Sequence, residues 1–249
     1  MRDAIQWIRS LIFIFLMYAA MAIMGPIYFI PTLFNKDVAY TAVDHYTRLV
    51  RWLARWVVGL RSEIRGTVPT DEVLICSKHQ SFFDIILIVS AVPRPKFIMK
   101  KQLKWAPILG YYAKAIGCVP VDRGKRGMAV KQMLSDVASG RSRPGQLIIF
   151  PQGTRVAAGA RMPYKVGAAA LYTGSGQTAV PAATNVGVFW PRHGIMRKPG
   201  LAVVEFLDPI APGLDVATFT SRLEQVVEEN SNRLMREAGF DPDRPDAAT

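Results

Sequence analysis

Residues 73–84 read Val73-Leu74-Ile75-Cys76-Ser77-Lys78-His79-Gln80-Ser81-Phe82-Phe83-Asp84. A short apolar run, Val73 to Cys76, gives way to a polar corner and then to Ser81, a residue type favoured at helix N-caps. Four apolar residues are too few for a helix and read as a buried strand, and the stretch from Ser81 on reads as a helix. The pattern recurs downstream. Apolar runs at 96–99, 118–121, 146–150, 179–182 and 201–206 alternate with helix-like stretches, of which 81–92 is the first and 105–115, 127–139, 165–174 and 217–238 follow. Strands alternating with helices predict an α/β fold, a mixed, largely parallel sheet flanked by helices. In such a sheet ligands bind at the carboxyl ends of the strands.

Two segments occupy such strand ends and carry chemistry. In the first, His79 precedes Asp84 by five residues. Inside one helix that spacing turns about 140° around the axis, so two helical residues would not meet. They touch only with His79 in the loop and Asp84 in the first helical turn. Histidine can then take a proton while the carboxylate fixes its tautomer. The same residues also match a capping box, Ser81 to Asp84, in which Asp84 only closes the helix end. The second segment is Phe150-Pro151-Gln152-Gly153-Thr154-Arg155, directly after an apolar run. Glycine followed by arginine at a strand end can close around a phosphate. Cys76, three residues before His79, is the nearby thiol nucleophile type, and a strand-end cysteine reads first as core. Cys76 and Cys118 have neither metal-ligand spacing nor a disulfide framework, so no metal site is expected and a reducing compartment suits both.

With 249 residues, half of them hydrophobic, the chain can bury a full core. Its formal charge of +12 calls for an anionic partner. The N-terminus narrows the choice. From Leu11 to Met24 every residue is apolar or weakly polar, and the apolar character runs on through Pro26 and Pro31 to Phe34. That is long enough to span a bilayer. A cleaved signal peptide shares the layout, with Arg2 and Arg9 ahead and Ala20-Met21-Ala22 behind, but leads into polar mature sequence. Here residues 38–60 follow, with Tyr46, Leu49, Val50, Leu53, Trp56, Val57 and Leu60 on one helical face and Arg48, Arg51 and Arg55 on another. Such a helix suits a lipid interface. Positive charge on both sides predicts a re-entrant anchor, breaking at residues 26–31, with both ends cytoplasmic. The organisation expected is membrane-anchoring helices over 1–65, a catalytic α/β domain over 66–240 and a mobile tail over 241–249. The basic residues form no aromatic-interleaved platform, which argues against nucleic acid.

Four blocks in order make the chain similar to a known family. The segment Lys78 to Asp84 resembles the His-x4-Asp motif of the glycerolipid acyltransferases, most closely the 1-acylglycerol-3-phosphate acyltransferases. Phe97-Ile98-Met99-Lys100-Lys101-Gln102-Leu103, running on through Pro107 to Gly110 and Val121-Asp122-Arg123, resembles the second block. Phe150 to Arg155 is similar to the block usually read Phe-Pro-Glu-Gly-Thr-Arg, and Val180-Pro181-Ala182-Ala183-Thr184-Asn185 resembles the fourth.

The resemblance implies transfer of a fatty acyl group from a thioester, on CoA or acyl-carrier protein, to the sn-2 hydroxyl of lysophosphatidate, in phospholipid synthesis at the cytoplasmic face of the cell membrane. No cofactor is implied. His79 is then the base and Asp84 its orienter. Gln152, Gly153, Thr154, Arg155, Lys100 and Arg123 are the implied substrate-binding residues, and backbone amides near Gly153 are candidate oxyanion donors. Two departures stand out: Gln152 occupies a position where the family has Glu, and Lys78 one where Asn is common. The alternatives are the same chemistry on another acceptor (a lyso-aminolipid, a lysophospholipid or glycerol-3-phosphate) or a non-catalytic binder of anionic membrane.

Overall fold

The computed structural model describes residues 2–121, 134–135 and 144–244. The first helix, α1 (Arg2–Phe34), is a single helix of 33 residues, about 50 Å long. It runs through Pro26 and Pro31 without the break expected there. Each proline removes one helical donor, the one that would face the carbonyl of Ala22 or Ile27, and two other carbonyls of the helix accept side-chain hydroxyls. Tyr112 donates to the Gly25 carbonyl at 2.7 Å, and Thr32 to the Tyr28 carbonyl at 2.7 Å. The chain returns instead at residues 35–37, and α2 (Val38–Leu53) packs back along α1. This hairpin is fastened by Tyr28 Oη to His45 Nδ1 at 2.5 Å. α2 ends in a π-helical turn, Ala54–Val58, and in Gly59, whose φ of 74° is left-handed.

Leu60–Arg65, which the sequence reading assigns to the anchoring unit, forms an edge strand, β1. The others are β2 (Leu74–Ser77), β3 (Pro95–Lys100), β4 (Val119–Val121), β5 (Gln146–Ile149), β6 (Ala179–Thr184) and β7 (Gly200–Phe206). The sheet order among the described residues is β1-β7-β6-β2-β5-β3-β4. Every pairing is parallel except β6–β7. The carboxyl ends of β2, β3, β4, β5 and β6 therefore share one edge. β2 and β6 are buried along their whole length, as central strands covered on both faces must be.

One face carries α1, α2 and α3 (Phe82–Ala91), with Phe13, Val50, Phe83, Leu87 and Trp190 in its core. The other carries α5 (Val166–Ser175) and α6 (Val216–Glu237), centred on Tyr172, Phe219, Leu223 and Val227. α4 (Pro107–Ala115) packs against α1, where a Cβ on Gly25 would lie 2.6 Å from Ile108. The helix expected over 127–139 falls outside the described residues except at 134–135, and most of the expected tail, residues 245–249, lies outside them as well.

Candidate active site

The site is assembled from three loops that leave adjacent parallel strands, β2, β5 and β6. After β2 the chain crosses Lys78, His79 and Gln80, and α3 begins at Ser81, whose extended backbone (φ −144°, ψ 168°) makes it the N-cap. The capping box is formed. Oδ2 of Asp84 accepts the backbone N–H groups of Gln80 at 2.6 Å and Ser81 at 2.7 Å. The same oxygen lies 3.2 Å from Nδ1 of His79. A carboxylate can only accept, so Nδ1 carries the ring proton and the Nε2 lone pair is left for a substrate. Asp84 thus closes the helix and orients the imidazole at once. It is fully buried, whereas His79 is partly open.

The loop after β5 fastens onto this corner. Phe150 stacks on the His79 ring, with centroids 3.9 Å apart and 18° between planes. Gln152 Oε1 accepts the His79 N–H at 3.5 Å, and Val156 donates its N–H to the His79 carbonyl at 2.7 Å. The Gln152 amide is therefore turned with its oxygen toward His79. That leaves Nε2 as a buried donor without a partner among the described residues. Gly153 has φ +70°, and a Cβ there would come 2.8 Å from Nζ of Lys165, so the turn needs glycine. Its N–H, a candidate oxyanion donor by sequence, is committed to the Phe150 carbonyl at 2.8 Å. Thr154 and Arg155 follow, half-buried, and bring Arg155 to the edge that holds His79.

From β6 comes Thr184, a residue of the fourth motif whose spacing alone suggests no role. Its hydroxyl lies 3.3 Å from Oδ1 of Asp84 and 3.0 Å from the Val203 carbonyl, and its one proton serves one of them at a time. Asn185 is a structural pin, accepting from Val203 N and donating to the carbonyls of Leu201 and Leu234. Lys78 is not a cation beside the histidine. Its ammonium is buried and paired with Glu228 of α6, which also accepts from Tyr164 Oη at 3.0 Å. Lys100 ends β3 on the same edge of the sheet. Arg123 lies outside the described residues. Cys76 is fully buried, and burial pushes its thiol far above the ordinary range. Cys118 is partly buried as a residue, and desolvation raises its thiol to about 12.

A family model described as Acyltransferase matches residues 60–185, from the first residue of β1 to the end of the fourth motif. That is half of the chain. The protein belongs to the acyltransferase family. Among curated relatives, a 1-acyl-sn-glycerol-3-phosphate acyltransferase of Pseudomonas aeruginosa is 28% identical over 202 residues, covering 80% of this chain and 79% of its own. The human 1-acyl-sn-glycerol-3-phosphate acyltransferase alpha is 30% identical over 125 residues, 49% of this chain and 44% of the human one. The fold is that of the crystallised 1-acyl-sn-glycerophosphate acyltransferase PlsC of Thermotoga maritima, at a TM-score of 0.80 and 17% identity, covering 94% of this chain and 99% of that one. The match begins at β1, so the family's common unit includes the edge strand that the sequence reading assigned to the anchoring helices.

Proposed function

We propose that this acyltransferase moves a fatty acyl group from an acyl thioester to the sn-2 hydroxyl of 1-acylglycerol-3-phosphate, yielding phosphatidate. The observation that carries the reading is the orientation of His79. Its Nδ1 is committed to a buried carboxylate and its Nε2 is free to receive a hydroxyl proton. The names of the relatives supply the acceptor. The acceptor hydroxyl loses its proton to Nε2 as its oxygen attacks the thioester carbonyl. Collapse of the tetrahedral intermediate breaks the C–S bond, and the imidazolium returns the proton to the leaving thiolate. Asp84 stabilises the transient imidazolium, as the acid does in a serine-hydrolase triad. No acyl-enzyme is required, because the substrate alcohol is the nucleophile.

Arg155 is the phosphate ligand in this reading, held beside the base by the neighbouring Val156–His79 hydrogen bond. The lipid acceptor calls for a membrane, and the arginines that flank the apolar stretch favour its cytoplasmic face. α1 is long and apolar enough to cross a bilayer, and Ile5, Ile8, Ile12, Phe15, Ile23 and Ile27 are exposed along it. Beside it an open groove of about 440 Å³ between α2 and β1 is lined by Arg48, Arg51, Arg55 and Arg61, with the exposed Trp52 at its wall. Arginines beside exposed tryptophans fit the headgroup layer of an anionic leaflet.

The test crosses two labelled donors, acyl-CoA and acyl-carrier protein, with lysophosphatidate, a lysophospholipid, a lyso-aminolipid and glycerol-3-phosphate, using purified protein in mixed micelles. Preference for lysophosphatidate supports the proposal, preference for another acceptor replaces it, and transfer to none leaves a membrane binder.

A further inference from the structure

Arg197, in the segment between Trp190 and β7, belongs to none of the four motifs. It is only 7% exposed. Its backbone is held to α1 from both sides. Gln6 Nε2 donates to its carbonyl at 2.6 Å, and its N–H donates to Ser10 Oγ at 2.9 Å. The guanidinium lies over the Trp190 ring, 4.4 Å from the centroid. Trp190 in turn stacks on Phe83, the neighbour of Asp84, with centroids 5.2 Å apart. Arg197 therefore sits one ring away from the helix turn that orients the base.

Its hydrogen bonding is incomplete in a specific way. Nη1 is occupied by the carbonyls of Gly194 and Met196, at 3.0 and 3.2 Å. Nε is buried and has no partner among the described residues. No carboxylate pairs with the side chain among those residues either. A buried cation without a counter-charge is costly, and a buried unmet donor adds to that. The side left uncommitted, Nε with Nη2, is the one that grips two oxygens of a phosphate in parallel. Burial lowers the guanidinium to about 10, with Tyr18 opposing the shift and the charge of Arg155 adding to it. A buried guanidinium whose Nε is unmet, one ring from the helix turn that carries Asp84, is arranged to take an anion.

We propose that Arg197 is a second arginine of the phosphate site, gripping with Arg155 the phosphomonoester of the acceptor lipid. The inference rests on the acceptor reading above. A CoA phosphate offers similar chemistry. The acceptor is favoured because the Arg197 backbone is fastened to α1, the helix suited to the bilayer.

The experiment measures kcat and KM for lysophosphatidate, for the phosphate-free acceptor monoacylglycerol and for the acyl thioester. It uses the full-length wild type, Arg197→Gln, Arg197→Lys and Arg197→Met, the last keeping contact with Trp190. The melting temperature of each is followed with and without inorganic phosphate. Expected is a KM for lysophosphatidate raised about 10- to 100-fold in Arg197→Gln and Arg197→Met, with a much smaller change in kcat. Arg197→Lys should recover part of the loss. The preference for lysophosphatidate over monoacylglycerol should shrink in proportion. Equal losses on both acceptors would show a structural role and overturn the proposal, as would a KM rise confined to the thioester. If the wild type does not acylate lysophosphatidate, the acceptor reading itself fails. The phosphate-induced rise in melting temperature then decides for Arg197: lost in Arg197→Gln and Arg197→Met it supports an anion site, and unchanged it excludes one.

Discussion

Val156 donates its backbone N–H to the carbonyl of His79 at 2.7 Å, so the loop after β5 is fastened to the loop after β2. With Gln152 accepting the His79 N–H, the base is held through its own peptide groups by the motif that carries Arg155. His79 and Arg155 are thereby parts of one corner, which is what the proposed proton removal beside a bound anion requires.

Replacing His79 by Ala should lower acyl transfer by about 10²–10⁴-fold, the usual contribution of a general base. Binding to anionic liposomes and the circular dichroism spectrum should be unchanged, since the imidazole supports neither α1 nor the sheet. Residual transfer near the wild-type rate would remove His79 from the mechanism.

The two roles of Asp84 separate by choice of substitution. Asp84→Ala removes the acceptor for two backbone amides and the histidine, so it should cost about 2 kcal/mol or more of stability together with most of the activity. Asp84→Asn keeps a carbonyl oxygen in the Oδ2 position and should hold most of the stability. It should still lose rate, because it cannot balance the imidazolium. Urea unfolding and turnover, measured side by side, check the split.

For Gln152 the structure predicts that the acceptor oxygen matters to the loop more than the charge that the family's Glu carries. Gln152→Leu should lower kcat about 10-fold and destabilise by about 1 kcal/mol, since the part-buried N–H of His79 loses its acceptor. Gln152→Glu restores the family residue and retains the acceptor, so its kcat should stay within a few-fold of wild type. A collapse of Gln152→Glu would reverse this ordering.

Lys78 and Glu228 should behave as a buried pair. Glu228→Gln strands a buried ammonium and should cost about 3–5 kcal/mol, while the double replacement Lys78→Met with Glu228→Gln should cost less than the sum of the single changes. Denaturant midpoints of the four proteins give the coupling directly.

Cys76 is excluded as a nucleophile by the direction of its titration. Burial raises both thiols, Cys118 to about 12. At pH 8 that leaves roughly one Cys118 in ten thousand as thiolate, and a smaller share of Cys76. Iodoacetamide at pH 8 should therefore leave activity intact, with both cysteines alkylating only once urea unfolds the protein. Raising the pH should speed the reaction of Cys118 before that of Cys76.

Much of this was legible in the chain. The alternation of buried strands and helices follows from apolar run length and N-cap chemistry, which act over a few residues. The need for His79 to sit in the loop and Asp84 in the helix follows from helical geometry alone. Other features were hidden for a physical reason. The edge strand β1 has a half-exposed, charged sequence, Leu60–Arg65, and becomes a strand only because β7 offers it a ladder 140 residues away. The prolines of α1 read as breaks, and the helices that pack against it, α2 and α4, come from later in the chain.

By itself the sequence determined the α/β class, the order of the four motif blocks and the loop-to-helix placement of His79 and Asp84, because each is written in local spacing and residue chemistry. Tertiary structure alone decided which side chains converge on them. It turned Lys78 away to Glu228, fastened Val156 to His79, set Thr184 against Asp84 and tied Arg197 to Ser10 of α1. Those choices depend on which strands neighbour one another and which helix covers them. Contacts between residues 77 to 187 positions apart leave no periodicity along the chain from which to read them.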